Sequence, residues 1–298
     1  MANVTKTYHH SKYDAIDARR PELSQAGKNI LVVGGSIGIG LAIAEGFLNA
    51  DAHTVFVTGR SQQKLDAGKA QLARENLRTI RSDVSDADDV AKLWQDLKTA
   101  GTDIDVLVLN AGTDGGHISP FKSDMQLVET EYKITVLGNL AMTRAFLAQG
   151  PATGKVILNT STGEIHWDPM IPEAMTYSSS KMAWATLMQM LASNTPAEEV
   201  QMISIHPGAI LTQATVDAGY DVDAIDWDNE SLPANFYVWA ATPAASFLHG
   251  RFTWANWDVD ELKAVVEQND KDFLRIGIFG VGFNDPNKLW VDIKAKSA

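Results

Sequence analysis

Cysteine is absent from the 298 residues, which excludes disulfides, thiolate zinc sites, iron–sulfur clusters and cysteine nucleophiles. That absence fits a reducing compartment, so the expected address is the cytoplasm. Basic charge is scarce: 25 Lys and Arg face 37 Asp and Glu, for a formal net charge of -12. A chain of that sign repels nucleic acid and anionic lipid, and neither is an expected partner. Long apolar runs are missing too. The best of them, Ile30 to Leu48, is interrupted by five glycines and by Glu45, so it makes a poor membrane span. The polar opening MANVTKTYHHSKYDAIDARRPELSQAGK has no signal-peptide core. Nor do the seven histidines show a metal spacing such as H-E-x-x-H; no metal is expected, and His9 and His10 should lie in a tail outside the fold.

What is present is a 45% hydrophobic content, ample for the core of one large domain. Short β-branched runs alternate with segments of helical period, the pattern of parallel strands joined by helical crossovers. Strands are expected at 29–33, 53–57, 77–82, 105–109, 155–159 and 201–205. Helices are expected at 38–49, 62–73, 87–99 (capped by Ser85 or Asp86), within 125–149, at 177–192 and near 234–241. A last strand near 273–279 closes the domain. The fold class is therefore α/β: one doubly wound domain over 28–298, with a mostly parallel central sheet and helices on both faces, after an extension of residues 1–27. The acidic stretch 213–235 is longer than the roughly 12 to 15 residues of an ordinary loop and reads as a substrate-covering segment.

The chemistry starts where the first strand runs into Gly34-Gly35-Ser36-Ile37-Gly38-Ile39-Gly40 and then a helix. Glycines there allow a sharp turn and close approach of a ligand. The free amides and positive dipole end of the helix suit a pyrophosphate, which makes Gly34, Ser36, Ile37, Gly38, Ile39 and Gly40 candidate dinucleotide contacts. The second strand ends at Arg60, where a carboxylate would select NAD by its 2′-hydroxyl and an arginine pairs with the 2′-phosphate of NADP. NADP is the expected cofactor. Asp83 and Val84, after the third strand, suit the adenine, with an N-cap role for Asp83 as the alternative. Asn110, Ala111 and Gly112 end the fourth strand with small residues at the ligand edge of the sheet.

Two further motifs are decoys. Gly34 to Gly38 also spells G-x-S-x-G, but the first strand itself leads into it, and no earlier strands supply an oxyanion hole. Ser178-Ser179-Ser180-Lys181 contains S-x-x-K without S-D-N or K-T-G behind it.

Tyr177 and Lys181 stand four apart in a helical segment, one turn from each other on one face. An ammonium near a phenol stabilises phenolate and brings its proton into reach of neutral-pH chemistry. Hydroxyls at Thr160, Ser161 and Thr162 end the fifth strand at the same edge. His117, His166, Trp167 and Trp227 lie on loops and are candidates to line a substrate pocket.

In this order, G-G-S-I-G-I-G, D-V, N-A-G, the hydroxyls, Y-S-S-S-K and Pro207-Gly208-Ala209-Ile210-Leu211-Thr212, the sequence resembles the short-chain dehydrogenase/reductases over roughly Lys28 to Thr212. The segment Gly250 to Trp257 is similar to that of fungal members. The resemblance implies a Rossmann-like domain in which Tyr177 delivers a proton to a carbonyl oxygen, while Lys181 lowers the tyrosine pKa and holds the nicotinamide ribose. A hydroxyl that binds the carbonyl oxygen falls on Thr162 by an ungapped match and on Ser161 by a one-residue shift. Asn110 and Ile210 flank the nicotinamide end, Thr212 holds its carboxamide or the phosphates, Pro207 and Gly208 are further cofactor contacts, and a homodimer or homotetramer is the implied assembly. Two positions depart from the pattern: Val33 stands where the glycine motif usually starts with a threonine, which removes a structural hydroxyl but no chemistry, and Thr135 stands where the family places an asparagine that holds a relay water, with Asn139 one turn on. The expected activity is NADPH-dependent reduction of a carbonyl, or oxidation of the alcohol, on an apolar or aromatic small molecule. The alternatives are a cofactor-binding sensor or scaffold and a non-redox enzyme of the same fold.

Overall fold

The computed structural model describes residues 4–113, 121–150, 153–163, 174–217 and 219–277. Among these residues seven strands form one sheet: β1 (Asn29–Val33), β2 (Thr54–Gly59), β3 (Leu77–Arg81), β4 (Val106–Leu109), β5 (Lys155–Thr160), β6 (Val200–His206) and β7 (Phe252–Trp254). Their order is β3-β2-β1-β4-β5-β6-β7, and every pairing is parallel. Such a sheet must be covered on both faces. Alternation along β1 shows how: Ile30 and Val32 enter one core with Phe47, Phe236 and Tyr237. Leu31 and Val33 enter the other with Leu93, Leu97, Phe146, Trp184 and Met188. All four residues of β4 are buried, as an apolar run in the middle of a sheet requires.

The crossovers are α1 (Gly38–Asn49), α2 (Gln62–Leu72), α3 (Ala87–Thr99), α4 (Met125–Tyr132), α5 (Asn139–Leu147) and α6 (Met175–Ala192). Beyond them come α7 (Gln213–Asp217), α8 (Ser231–Ala240) and α9 (Val259–Gln268). Asp86 caps α3 by accepting from the amides of Asp88 and Asp89, which decides between the two expected caps against Ser85. The helix expected within 125–149 is not uniform: Lys133–Gly138 is a π-helical turn between α4 and α5. A π turn takes in one extra residue and so alters the register of α5 relative to α4.

Three expectations are corrected. The seventh strand is Phe252–Trp254, not 273–279; residues 271–274 form a turn, and 278 onward lie outside the described residues. Three residues suffice because β7 pairs only with the end of β6, and its buried Phe and Trp carry the packing. The stretch 213–235 is not one loop, since α7 and the start of α8 lie in it. His9 and His10 are not outside the fold: Tyr8 bridges to Trp257, His9 pairs with Asp258 at 3.0 Å, and His10 pairs with Asp228 at 2.6 Å. Ile16 and Leu23 anchor this segment in the core because the C-terminal elements leave an apolar surface for them to cover.

Candidate active site

The strand order reverses direction between β1 and β4, and the carboxyl ends of these strands form the crevice where open α/β sheets hold ligands. The glycine turn after β1 is built for close approach. Gly34 has φ +77°, and a Cβ there would lie 2.7 Å from the Ala111 Cα; one on Gly40 would lie 2.2 Å from the Gly34 carbonyl oxygen. Asn110 Nδ2 donates to that same carbonyl at 2.9 Å, tying the turn to the end of β4. No side chain caps α1, so its first amides are kept for another acceptor. Gly38, at φ +55°, faces Thr212, whose Cγ2 would be 3.4 Å from an added Cβ. Thr212 is thus brought beside the glycine turn, where its amide is held by Thr215 Oγ1 at 2.7 Å. This cradle, crowded by backbone and open at a helix start, fits the pyrophosphate of a dinucleotide.

At the far end, a Cβ on Gly59 would sit 2.9 Å from Ser36 Oγ, so Ser36 packs beneath the end of β2 next to exposed Arg60. Gly59 is in register with Arg81, so a second guanidinium flanks that corner. Arg81 was not among the residues expected there, although the pairing of β2 with β3 was the signal for it. Asp83 accepts from the Ser85 amide at 2.9 Å and hydroxyl at 2.7 Å, a local turn rather than the helix cap. Val84 packs on Gly138, where an added Cβ would meet the Val84 carbonyl at 2.5 Å.

Lys181 and Tyr177 lie on α6 as the four-residue spacing requires, with Lys181 Nζ 5.6 Å from the Tyr177 ring centroid. Lys181 is 2% exposed and donates to the Thr160 carbonyl at 3.1 Å and the Ala111 carbonyl at 3.4 Å. Its ammonium therefore joins the ends of β4 and β5. Burial lowers its pKa to about 8, an effect that the Glu131 carboxylate opposes. An added Cβ on Gly112 would come within 3.1 Å of Nζ, which explains the small residue there. Ser161 Oγ is buried without a hydrogen-bond partner, whereas Thr160 Oγ1 accepts from the Tyr237 hydroxyl at 2.8 Å. Tyr237 itself is enclosed, and burial pushes its pKa well above the ordinary phenol value, so it serves as a donor and not an acid.

Thr135 lies in the π turn with its hydroxyl enclosed and unpartnered; both amide atoms of Asn139 are in the same condition. Ile210 is buried and bridges to Asp228, whose Oδ2 accepts from the Ala209 amide at 2.7 Å and from Asn256 Nδ2 at 2.9 Å. Gly208, at φ +99°, is pressed against the same carboxylate. Asp228 thus braces the 207–210 segment, a role without any local signature in the chain. Trp227 is half-buried and donates to the Asp221 carbonyl at 2.9 Å, engaged within its own loop. His117, His166 and Trp167 lie outside the described residues. Among the described residues no group of three His, Asp or Glu side chains could hold a metal ion, and no helix is long and apolar enough to cross a membrane.

With this geometry in place, the comparisons with known proteins are specific. Residues 28–222 match the short chain dehydrogenase family model. A short chain dehydrogenase/reductase of Claviceps purpurea is 34% identical over 282 residues, covering 92% of this chain and 94% of that protein. The short chain dehydrogenase/reductase nsrO of Aspergillus novofumigatus is 34% identical over 286 residues, with 92% and 96% covered. Among solved structures, the RhlG/NADP active-site complex of Pseudomonas aeruginosa superposes with TM-score 0.70 at 26% identity, covering 79% of this chain and 97% of that one. The family match spans the glycine turn, the β4 and β5 ends and the Tyr177–Lys181 pair in one continuous stretch, and the chain belongs to the short-chain dehydrogenase/reductase family.

Proposed function

We propose that the chain is an NADPH-dependent reductase of a carbonyl on an apolar or aromatic small molecule, reversible to alcohol oxidation. The observation that carries this reading is the enclosed Lys181 ammonium, held between the β4 and β5 ends one turn from the half-buried Tyr177 phenol. A cation at that distance favours phenolate and makes Tyr177 a better acid toward a substrate oxygen. When bound, reduced nicotinamide supplies the hydride to the carbonyl carbon. The chain supplies the proton from Tyr177 Oη to the carbonyl oxygen and orients that oxygen with a hydroxyl. Ser161 is favoured over Thr162 for this task because its Oγ is committed to no other partner.

Arg60, Ser36 and Arg81 around the end of β2 support NADP over NAD, since a 2′-phosphate there gains charge-assisted hydrogen bonds. The Pseudomonas aeruginosa neighbour is itself a complex with NADP. Pro207 to Ile210, braced by Asp228, and Thr212 beside the glycine turn fit the nicotinamide end and the phosphates. Val216, Val222 and Ile225 stand exposed on the segment after Thr212 and suit an apolar substrate. Exposed Leu137, Met182, Leu187 and Met190 form the apolar outer surface of the π turn and α6, which suits a homodimer or homotetramer. The test is a panel of ketones incubated with NADPH and followed at the nicotinamide absorbance, with product analysis. Oxidation of NADPH matched by alcohol formation supports the reading. Product formed without cofactor oxidation sinks it in favour of non-redox chemistry, and binding without any conversion across the panel sinks it in favour of a sensor.

A further inference from the structure

Two carboxylates are buried among the described residues, and Asp228 is accounted for by its three partners. Glu131 is the other. It is 0% exposed, sits in the last turn of α4 directly ahead of the π turn, and accepts a hydrogen bond from Thr113 Oγ1. Thr113 comes directly after Ala111 and Gly112, the residues against which Lys181 Nζ is packed. An enclosed carboxylate and an enclosed ammonium therefore grip the same three-residue segment, whose outer Cα atoms are at most about 7 Å apart.

A charge buried without a counter-charge costs several kcal/mol and surrenders its ionisation instead. The described groups that face Lys181 are Tyr177 on α6, Tyr237 on α8 through Thr160, the carbonyls of Ala111 and Thr160, and Glu131 on α4. Only Glu131 among them is a carboxylic acid. We propose that Glu131 is a positioning residue that supplies the counter-charge keeping Lys181 cationic at neutral pH while it fixes the 111–113 segment beside it. The proposal rests on Tyr177 and Lys181 acting as the acid and its cationic partner. Its electrostatic direction agrees with the opposition between burial and Glu131 at the lysine. Thr135, one turn on, brings only an uncharged hydroxyl with no partner, so charge at this wall of the site enters from Glu131.

The protein labelled with 13C at lysine Cε gives a direct readout, the Lys181 resonance being assigned by its loss in Lys181→Met and its response to Tyr177→Phe. In Glu131→Gln the Lys181 midpoint should fall by about one pH unit, the usual scale for removal of a nearby opposite charge, and Glu131→Asp should restore most of it. The alkaline limb of turnover should move down with it. A Lys181 midpoint in folded Glu131→Gln equal to that of the wild type overturns the proposal. Should that variant not fold, wild-type protein labelled at glutamate Cδ decides: the Glu131 resonance, assigned by its loss in Glu131→Asp, responds as Lys181 titrates, and a flat response overturns the pairing. If Tyr177→Phe kept full turnover, the reading of the site would fall while the measured pairing stood, so the two failures are separable.

Discussion

At the scale of single residues, what decides function is which polar groups are already spent. Tyr237 is enclosed and bonded to Thr160, whose carbonyl also holds Lys181, whereas Tyr177 is half-buried with the Lys181 ammonium 5.6 Å from its ring centroid, and the proposed reading gives the acid's role to Tyr177. Tyr177→Phe should bind NADPH as before and lose about 10²- to 10⁴-fold in turnover, as expected for a general acid; cofactor titration alongside steady-state rates separates the two. Arg60→Ala should weaken NADPH by about 1.5 to 3 kcal/mol for each charge-assisted hydrogen bond lost and leave NADH nearly unchanged. Equal losses in calorimetric titrations of both cofactors would remove Arg60 from the phosphate site. Thr135→Val deletes an enclosed hydroxyl that reaches no partner, so the melting temperature should hold or rise. A fall in turnover at unchanged NADPH affinity would show that the hydroxyl still serves the proton path to Lys181, and an unaltered rate would reject it.

At the scale of elements, the site is a set of strand ends held by side chains from distant segments. Asp228 joins His10 of the N-terminal segment, Asn256 after β7 and the Ala209 amide behind β6. Asp228→Asn keeps the shape but gives up acceptor strength at one oxygen, and hydrogen bonds to a charged group contribute about 1.5 to 3 kcal/mol each. The expected result is a lower melting temperature together with a higher KM for cofactor, because the 207–210 segment is no longer braced. A change in melting temperature alone would make Asp228 a stabilising residue with no part in the site. Deleting residues 1–13 should give the same pair of effects, since it removes His10 along with Tyr8.

For the whole molecule, the buried lysine couples chemistry to stability. Lys181 titrates at about 8 in the fold against 10.5 for an ordinary lysine. Between those values the unfolded chain binds the proton more tightly than the folded one, so stability rises with pH across that window. Below pH 8 the full penalty of a buried ammonium remains. Melting temperatures between pH 8 and 10 should therefore climb less in Lys181→Met than in the wild type, and parallel curves would show that Lys181 keeps an ordinary pKa. Turnover should show the opposite trend, declining above about pH 8 as the ammonium beside Tyr177 is lost.

The parallel sheet, the glycine turn and the Tyr177–Lys181 face were legible in the chain itself, because each is written within a few residues: alternating and continuous apolar runs, glycines at a strand-to-helix junction, a four-residue spacing. Local patterns do not encode who meets whom across the chain. Residues 4–23 looked like a polar tail because their apolar members, Ile16 and Leu23, are too sparse to show a period, and only the surface left by the C-terminal elements gave them something to cover. β7 is three residues long and owes its existence to an edge of β6, while the described part of 273–279, despite its better strand composition, begins in a turn and gives β7 one backbone hydrogen bond, from the Phe252 amide to the Leu274 carbonyl, without forming a ladder. Arg81 comes beside the end of β2 through strand register, and Asp228 reached Ala209 through a bridge 18 residues away in sequence from Ile210. Glu131 reads in the sequence as one more surface acid on a helix; tertiary packing alone enclosed it, and enclosure is what gives its charge influence over Lys181.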